Sequence, residues 1–260
     1  MSELRRFRWE DPDYERAFAT LLASSGERPH VHAYLRGICR RYPAEALAVD
    51  WGAGGGDLTR LLLEHFRHVL AVEPSPVFRA RLAADCPGAE VVAGTLGTTV
   101  PPRPVDIGII SHVLYHIPDH KWAASVLRAA RQLSDDGVLL VLLKDPDSGC
   151  NRMLEHFGAA RFNLVEGLWP VMAMDGGFNY ALDRVPGSFV THSLEDTLAI
   201  ARLALCDRDQ DAFSRPVSEE DFVDYVRRHL WDETSGRGGW HYDVLICALR
   251  RRPAPPAERA

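Results

Sequence analysis

The chain has 260 residues, 46% of them hydrophobic and 25% charged, which suits one globular domain or one domain with a modest cap. Thirty Lys+Arg stand against 36 Asp+Glu, a net charge of −6, so no basic excess points to nucleic acid. No apolar run reaches the ~18 residues of a membrane span, and the five scattered cysteines form no C-x-x-C pair, as expected of reduced thiols in the cytoplasm.

In chain order, residues 1–10 read as an irregular, charged arm without a signal-peptide core. Asp11 and Pro12 predict a capped helix start, with Phe18, Leu21 and Leu22 as its apolar stripe until SSGERP breaks it. A second helix runs from His30 to Arg41, with Val31, Tyr34, Leu35 and Ile38 on one face, and stops before Pro43. The first strand, Ala46 to Asp50, ends in a burst of glycine, and a helical pattern opens at Asp57. A second strand (Val69 to Glu73), a helix (Pro76 to Ala84) and a short strand (Glu90 to Ala93) follow. After the loop TLGTTVPPRP, Val105 to Ser111 is a continuous apolar run, as a buried parallel strand requires. A helix over Asp119–Leu133, a turn at Ser134–Gly137 and a fifth strand over Val138–Leu143 complete the regular part.

Beyond Lys144 the pattern loosens. A short helix is expected at Asn151–Phe157, and the Gly-, Met- and aromatic-rich stretch Phe162–Val185 reads as a cap. A strand near Ser188–Thr191 and a helix Glu195–Leu205 behind Ser193 come next. The helix Ser218–Leu230 opens on Ser218 and Asp221, a weaker form of the capping box. Tyr242–Leu249 is the final strand, and the tail RRPAPPAERA is proline-rich and expected to be disordered.

The chemistry gathers at two strand ends. Gly52-Ala53-Gly54-Gly55-Gly56 turns the first strand into a helix whose N-terminus presents unpaired N–H groups, the arrangement of a nucleotide-type loop. The spacing is G-x-G-G-G, not G-x-G-x-x-G, and no G-x-x-x-x-G-K-[ST] follows. Glu73, at the tip of the second strand, can accept hydrogen bonds from both hydroxyls of a ribose. These residues point to an adenosine-type ligand and leave NAD and other nucleosides open.

The segments DWGAGGG, AVEPS, DIGIISHVLYHIPD and LSDDGVLLVLLK, in that order over Ala46–Lys144, resemble the class I S-adenosylmethionine (SAM) dependent methyltransferases. Within that superfamily the chain looks most like histamine N-methyltransferase and its bacterial relatives, through DYERAFATLLASSGE upstream and KDPDSGCNRMLEHFGAARF downstream. The resemblance implies an α/β fold: a Rossmann-like, seven-stranded, mostly parallel sheet with a late antiparallel strand beside the fifth, and helices on both faces. It also implies an N-terminal helical cover over 1–43, a SAM-binding domain over 44–250 with a cap around 150–187, and a tail over 251–260.

The resemblance implies SAM as cofactor. Gly52, Gly54 and Gly56 would leave room for its methionine half and ribose, and Glu73 would hold the ribose. Asp50 would act indirectly, through the cofactor's amino group, a water or the loop N–H groups. Pro74 and Ser75 match the family text EPS and would shape the loop. Thr95 would approach the adenine edge, and Ser111 and His112 would stand where methionine end and substrate meet. His112 would bind the acceptor or act as a base, and Tyr115 would line the cleft. His116 replaces a substrate-side tyrosine of the family. Glu27 aligns with the family glutamate that meets the amine, and Tyr242 stands nearest to a family asparagine. Trp169, Met172, Met174, Phe178 and Tyr180 would form an apolar wall. The plainer alternatives are an exposed acid in a polar loop for Glu27, a packed strand-end imidazole for His112, and simple core packing for the aromatic wall.

No metal is expected: His112 and His116 lead into Pro118 and belong to no H-E-x-x-H helix. The expectation is a methyltransferase acting on a small molecule, at the nitrogen of a cationic amine or amino-acid-like acceptor, by direct SN2 transfer. Nucleic acid and membrane are not expected as partners, and a monomer or homodimer is. Three other readings compete: a SAM cyclase releasing methylthioadenosine and azetidine-2-carboxylate, an NAD-dependent oxidoreductase, and a non-catalytic SAM-binding protein.

Overall fold

The computed structural model describes residues 3–7, 11–174, 177–208 and 210–252. Two helices come first, α1 (Pro12–Ser24) and α2 (Arg28–Cys39). Proline at the first position of α1 removes an N–H that would have no helical partner. The expected Asp11 side-chain cap is not made; the Asp11 carbonyl accepts from Tyr14 and Glu15 instead. In α2, Val31, Leu35 and Ile38 are buried, the apolar stripe read from the spacing.

Strands and helices then alternate: β1 (Leu47–Trp51), α3 (Asp57–Leu63), β2 (His68–Val72), α4 (Pro76–Asp85), β3 (Glu90–Val92), β4 (Val105–Ser111), α5 (Trp122–Ala130) and β5 (Leu133–Lys144). The pairs β1/β2, β1/β4, β2/β3 and β4/β5 are all parallel. β1 is buried throughout and β4 nearly so, which accounts for their unbroken apolar sequences. Two boundaries differ from expectation. The helix before β5 begins as a 3-10 turn at Asp119–Lys121 and stops at Ala130. The turn expected at Ser134–Gly137 is a bulge within β5, because Val105 pairs with Leu133 and Ile107 already pairs with Val138. Ser134 Oγ donates to Asp106 Oδ1 at 2.7 Å, which ties the bulge to β4.

The remaining elements are α6 (Gly149–His156), α7 (Leu164–Met174), β6 (Phe178–Thr191), α8 (Leu194–Cys206), α9 (Glu219–His229), β7 (Trp231–Asp232) and β8 (Arg237–Arg251). Ser148, Ser193 and Ser218 cap α6, α8 and α9, their hydroxyls accepting from Asn151, Asp196 and Asp221 N–H. The strand expected near Ser188 starts ten residues earlier, at Phe178. Its later half alternates buried Val185, Gly187, Phe189 and Thr191 with outward residues, but Pro186 and Gly187 obscure that period in the sequence. The expected cap segment therefore holds α7 followed by part of a sheet strand.

The sheet runs β3-β2-β1-β4-β5-β8-β6, with β7 pairing antiparallel to β8 off this path. This is the expected seven-stranded Rossmann-like order, with the last long strand beside β5. Two compact units can be distinguished. One comprises Met1–Val31, Lys144–Asn163 and Val185–Val244; the other comprises His32–Leu143, Leu164–Arg184 and Leu245–Ala260. In the first unit, α1 packs on α8, and the arm is fixed by Leu4 N–H donating to the Val217 carbonyl at 2.8 Å. The second unit holds the glycine-rich loop and the ends of β1, β2 and β4, with α5 packed on α7. From residue 253 on, the expected tail lies outside the described residues. Among the described residues no helix is long and apolar enough to cross a membrane.

Candidate cofactor and acceptor site

The loop after β1 is stitched to the end of β2: Gly52 and Ala53 N–H both donate to the Val72 carbonyl, at 2.8 and 3.1 Å. Gly52, Gly54 and Gly56 have φ of 76°, 52° and 81°, a region L side chains rarely enter. The glycines then divide by what surrounds them. A Cβ on Gly52 would lie 2.4 Å from Val113 Cγ2, and one on Gly56 would lie 2.8 Å from Leu82 Cδ2. A Cβ on Gly54 would have only the Gly52 carbonyl oxygen, at 4.0 Å, and one on Gly55 nothing within 4 Å. The flanks of the loop are packed and its crest faces open space, as a bare backbone meant for a close ligand should.

Glu73 stands one residue beyond β2 and is 6% exposed. Its Oε2 accepts from Gly54 N–H at 2.9 Å and its Oε1 from Ser75 N–H at 2.8 Å. Each oxygen keeps a second lone pair, so the carboxylate is oriented by the backbone and can still accept two hydroxyls. Ser75 caps α4, its hydroxyl accepting from Phe78 N–H, and the Pro74 carbonyl accepts from Arg79, so both residues shape the turn. Asp50 is 2% exposed and accepts from the Thr59 hydroxyl of α3 at 2.7 Å. Burial pushes the Asp50 carboxyl up to about 6; the Thr59 hydrogen bond opposes that rise and the nearby Glu73 charge adds to it. Asp50 thus anchors the helix that follows the loop.

After β4, His112 is the one non-glycine among the described residues with positive φ, 57°. Its N–H donates to the Leu142 carbonyl at 3.0 Å, and its ring stacks on Tyr115 with centroids 5.9 Å apart. The next residue, Val113, is the one that crowds Gly52, so this strained turn packs on the glycine loop. Ser111 ends β4 beside Leu142, and His116 is exposed. Thr95 is engaged locally, its hydroxyl 2.9 Å from that of Thr98. Trp169 and Tyr180 are 60% and 43% exposed, so they form no packed wall; Phe178 is buried, and the Met174 side chain lies outside the description.

In the other unit, Glu27 is not a solvated loop acid. Gly26 N–H donates to the Ser188 carbonyl at 2.8 Å, and Ser25 bridges antiparallel to Phe189. The buried Tyr242 hydroxyl donates to Glu27 Oε2 at 2.5 Å. Burial first, then the Glu27 charge, pushes the Tyr242 phenol far up, so it stays a donor.

Three residues escaped the sequence reading. Thr59 is signalled only by the need of a buried Asp50 for a donor. His32, whose Nε2 lies 2.9 Å from Asp57 Oδ2 at the start of α3, gave no signal. Lys144, buried at the end of an apolar strand, was visible as the one charge closing VLLVLLK.

Comparison with known proteins bears on this geometry. Residues 49–141 match the family model described as a methyltransferase domain. Over that stretch the chain is similar to that family. An uncharacterized methyltransferase of Staphylococcus carnosus is 30% identical over 128 residues, 48% of this chain and 61% of that protein. The chain thus spans less than two thirds of that relative's length. Among solved structures, a putative methyltransferase from Bacillus halodurans superposes with a TM-score of 0.58 at 17% identity, covering 86% of this chain and 99% of the other. A SAM-dependent methyltransferase from Thiobacillus denitrificans, in complex with S-adenosylhomocysteine (SAH), gives 0.52 at 17% identity, covering 95% and 100%. At these identities the likeness to the two solved structures is one of fold. The glycine-rich loop, with its open crest beside an oriented, largely buried carboxylate, would suit a nucleoside cofactor such as SAM.

Proposed function

We propose that the protein is a methyltransferase that transfers the methyl group of SAM to the nitrogen of a small cationic amine. The observation that carries the reading is Glu73, held by Gly54 and Ser75 N–H beside a loop crest with room for a ligand. On this reading Glu73 binds the ribose, Gly54 and Gly55 admit the nucleoside, and Asp50 and Thr59 keep α3 in place behind the loop. SAM, when bound, would supply a sulfonium methyl to the amine nitrogen once its ammonium proton has passed to water, leaving SAH.

The protein's own contribution is positioning and electrostatics. Positive charge develops on the nitrogen as the new bond forms. Glu27, held by the Tyr242 hydroxyl, is a carboxylate of the kind that recognises an amine, and this pair supports the amine reading and the closer likeness to histamine N-methyltransferases. His112 and Tyr115, stacked in the turn after β4, are the groups for orienting the acceptor and taking its proton once the bond has formed.

The test is calorimetric titration with SAM, SAH and NAD, followed by incubation with SAM and a panel of amines. SAM and SAH should bind and NAD should not, and mass spectrometry should find SAH and a methylated amine. Methylthioadenosine without an acceptor product would show a cyclase instead, and NAD binding alone would end the reading.

A further inference from the structure

The links that join β1 to β2, β2 to β3 and β4 to β5 hold α3, α4 and α5, but the link from β3 to β4, residues 93–104, holds no α-helix. A crossover helix ordinarily lies on the sheet beside its neighbours. α5 turns Trp122, Val126, Ala129 and Ala130 inward and packs on α7. Between α5 and the helix-free link lies a groove of about 590 Å³. Gly97 and Val100 line one wall, and Lys121, Ala124, Arg128 and Arg131 the other. The latter four recur every three or four residues, so they share one face of α5 and its flanks. Both walls belong to the second compact unit.

The groove is cationic along its length and apolar across it. Lys121 to Arg131 spans ~15 Å at the helical rise per residue, and the three cations are spread over that distance rather than gathered at one end. Neither wall, 97–102 or 120–132, contains an Asp or a Glu. Among the described residues neither Lys121 nor Arg128 has an ion-pair partner. The facing wall is uncharged, and its Val100 is 69% exposed. In a chain of net charge −6 this strip runs against the overall sign.

We infer that the groove seats an acidic amphipathic helix of a partner protein. Its narrow apolar stripe lies against Ala124 and Val100, and its carboxylates face Lys121, Arg128 and Arg131. The incoming helix takes the place beside α5 that the link from β3 to β4 leaves open. Gly97 and Ala124 are small enough to let a second helix approach closely. Cations at three points along the groove suit a ligand with several anionic groups at helical spacing, whereas an acid with a single head would use one of them. No lining residue is aromatic, so bases would find nothing to stack on, which weighs against single-stranded nucleic acid.

The experiment uses the full chain and an acetylated, amidated helical peptide of about 18 residues, with Leu and Ala along one stripe and Glu on either side of it. Two control peptides replace every Glu by Lys or every Leu by Ser. Calorimetry should give micromolar affinity for the acidic peptide and roughly tenfold or more weaker binding of the Lys form, although the protein's net charge favours the latter. Binding should weaken as salt rises from about 50 to about 300 mM, and amide exchange should slow at 97–100 and 121–132. Lys121→Glu with Arg128→Glu should reverse the preference between the acidic and Lys peptides, the urea midpoint reporting that the variant is folded. Arg128→Gln serves if that double variant does not fold, and should lower acidic-peptide affinity several-fold. No binding of the acidic peptide, equal binding of its Ser form, or an affinity that these substitutions leave unchanged overturns the inference. Tighter binding of a single-stranded oligothymidylate also overturns it, by making the groove a nucleic-acid site. Self-association of the parent that the double substitution abolishes does so too, by giving the groove to a second copy of this chain.

Discussion

The Glu73 carboxylate lies 2.9 Å from the Gly54 amide, so the end of β2 holds the loop that follows β1. One side chain thereby shapes the loop and remains an acceptor for what the loop binds. Glu73→Ala should weaken SAH binding by roughly 10- to 100-fold, the loss of one or two hydrogen bonds to a charged group. Glu73→Gln, which keeps an acceptor, should lose less. Calorimetry on both variants measures the difference, and equal affinity of Glu73→Ala and the parent would remove the ribose from this position.

The glycines should separate by function. Gly56→Ala places a methyl group 2.8 Å from Leu82 Cδ2 at a φ of 81°, and should cost roughly 1–3 kcal/mol of stability. Gly55→Ala meets nothing within 4 Å and should change stability by no more than about 0.5 kcal/mol. Its effect should appear in SAH affinity, as a side chain on the crest that the ligand must approach. Urea denaturation and calorimetry on the two variants read these effects separately.

Asp50 sets a pH dependence. Its carboxyl is raised from 3.8 to about 6 in the folded protein, so between these values the folded state keeps a proton that the unfolded chain releases. The stabilisation from this group is complete below about 4 and is lost as pH rises through about 6, a change of about 3 kcal/mol. Asp50→Asn has no proton to lose. Relative to that variant the parent should therefore be less stable at pH 7.5 than at pH 4, and urea midpoints of the two proteins at both pH values check the sign.

Tyr242→Phe removes the donor to Glu27 and keeps the ring. The acceptor KM should rise several-fold while SAH affinity stays within twofold, because Glu27 loses its orientation and Glu73 is untouched. A change confined to SAH affinity would place Tyr242 elsewhere in the reaction.

The cofactor end was legible in the sequence because it is local. A strand, three glycines with positive φ and an acid at the next strand's tip lie within a short stretch, and each residue type has a backbone reason to be there. The Glu27 pair was not legible from local pattern, since its partner Tyr242 is 215 residues away and only the fold joins them. The start of β6 was hidden because Pro186 and Gly187 interrupt an alternation that burial reveals. The Asp11 side-chain cap was expected from residue type, yet Pro12 and the Asp11 carbonyl suffice to start α1.

β8 comes last in chain order among the described strands and lies between β5 and β6. During synthesis those two earlier strands must wait, each with an open row of backbone donors and acceptors, until Arg237–Arg251 has left the ribosome. A nascent chain stalled before that point would be an adhesive intermediate, and the organism's holding chaperones would meet it there.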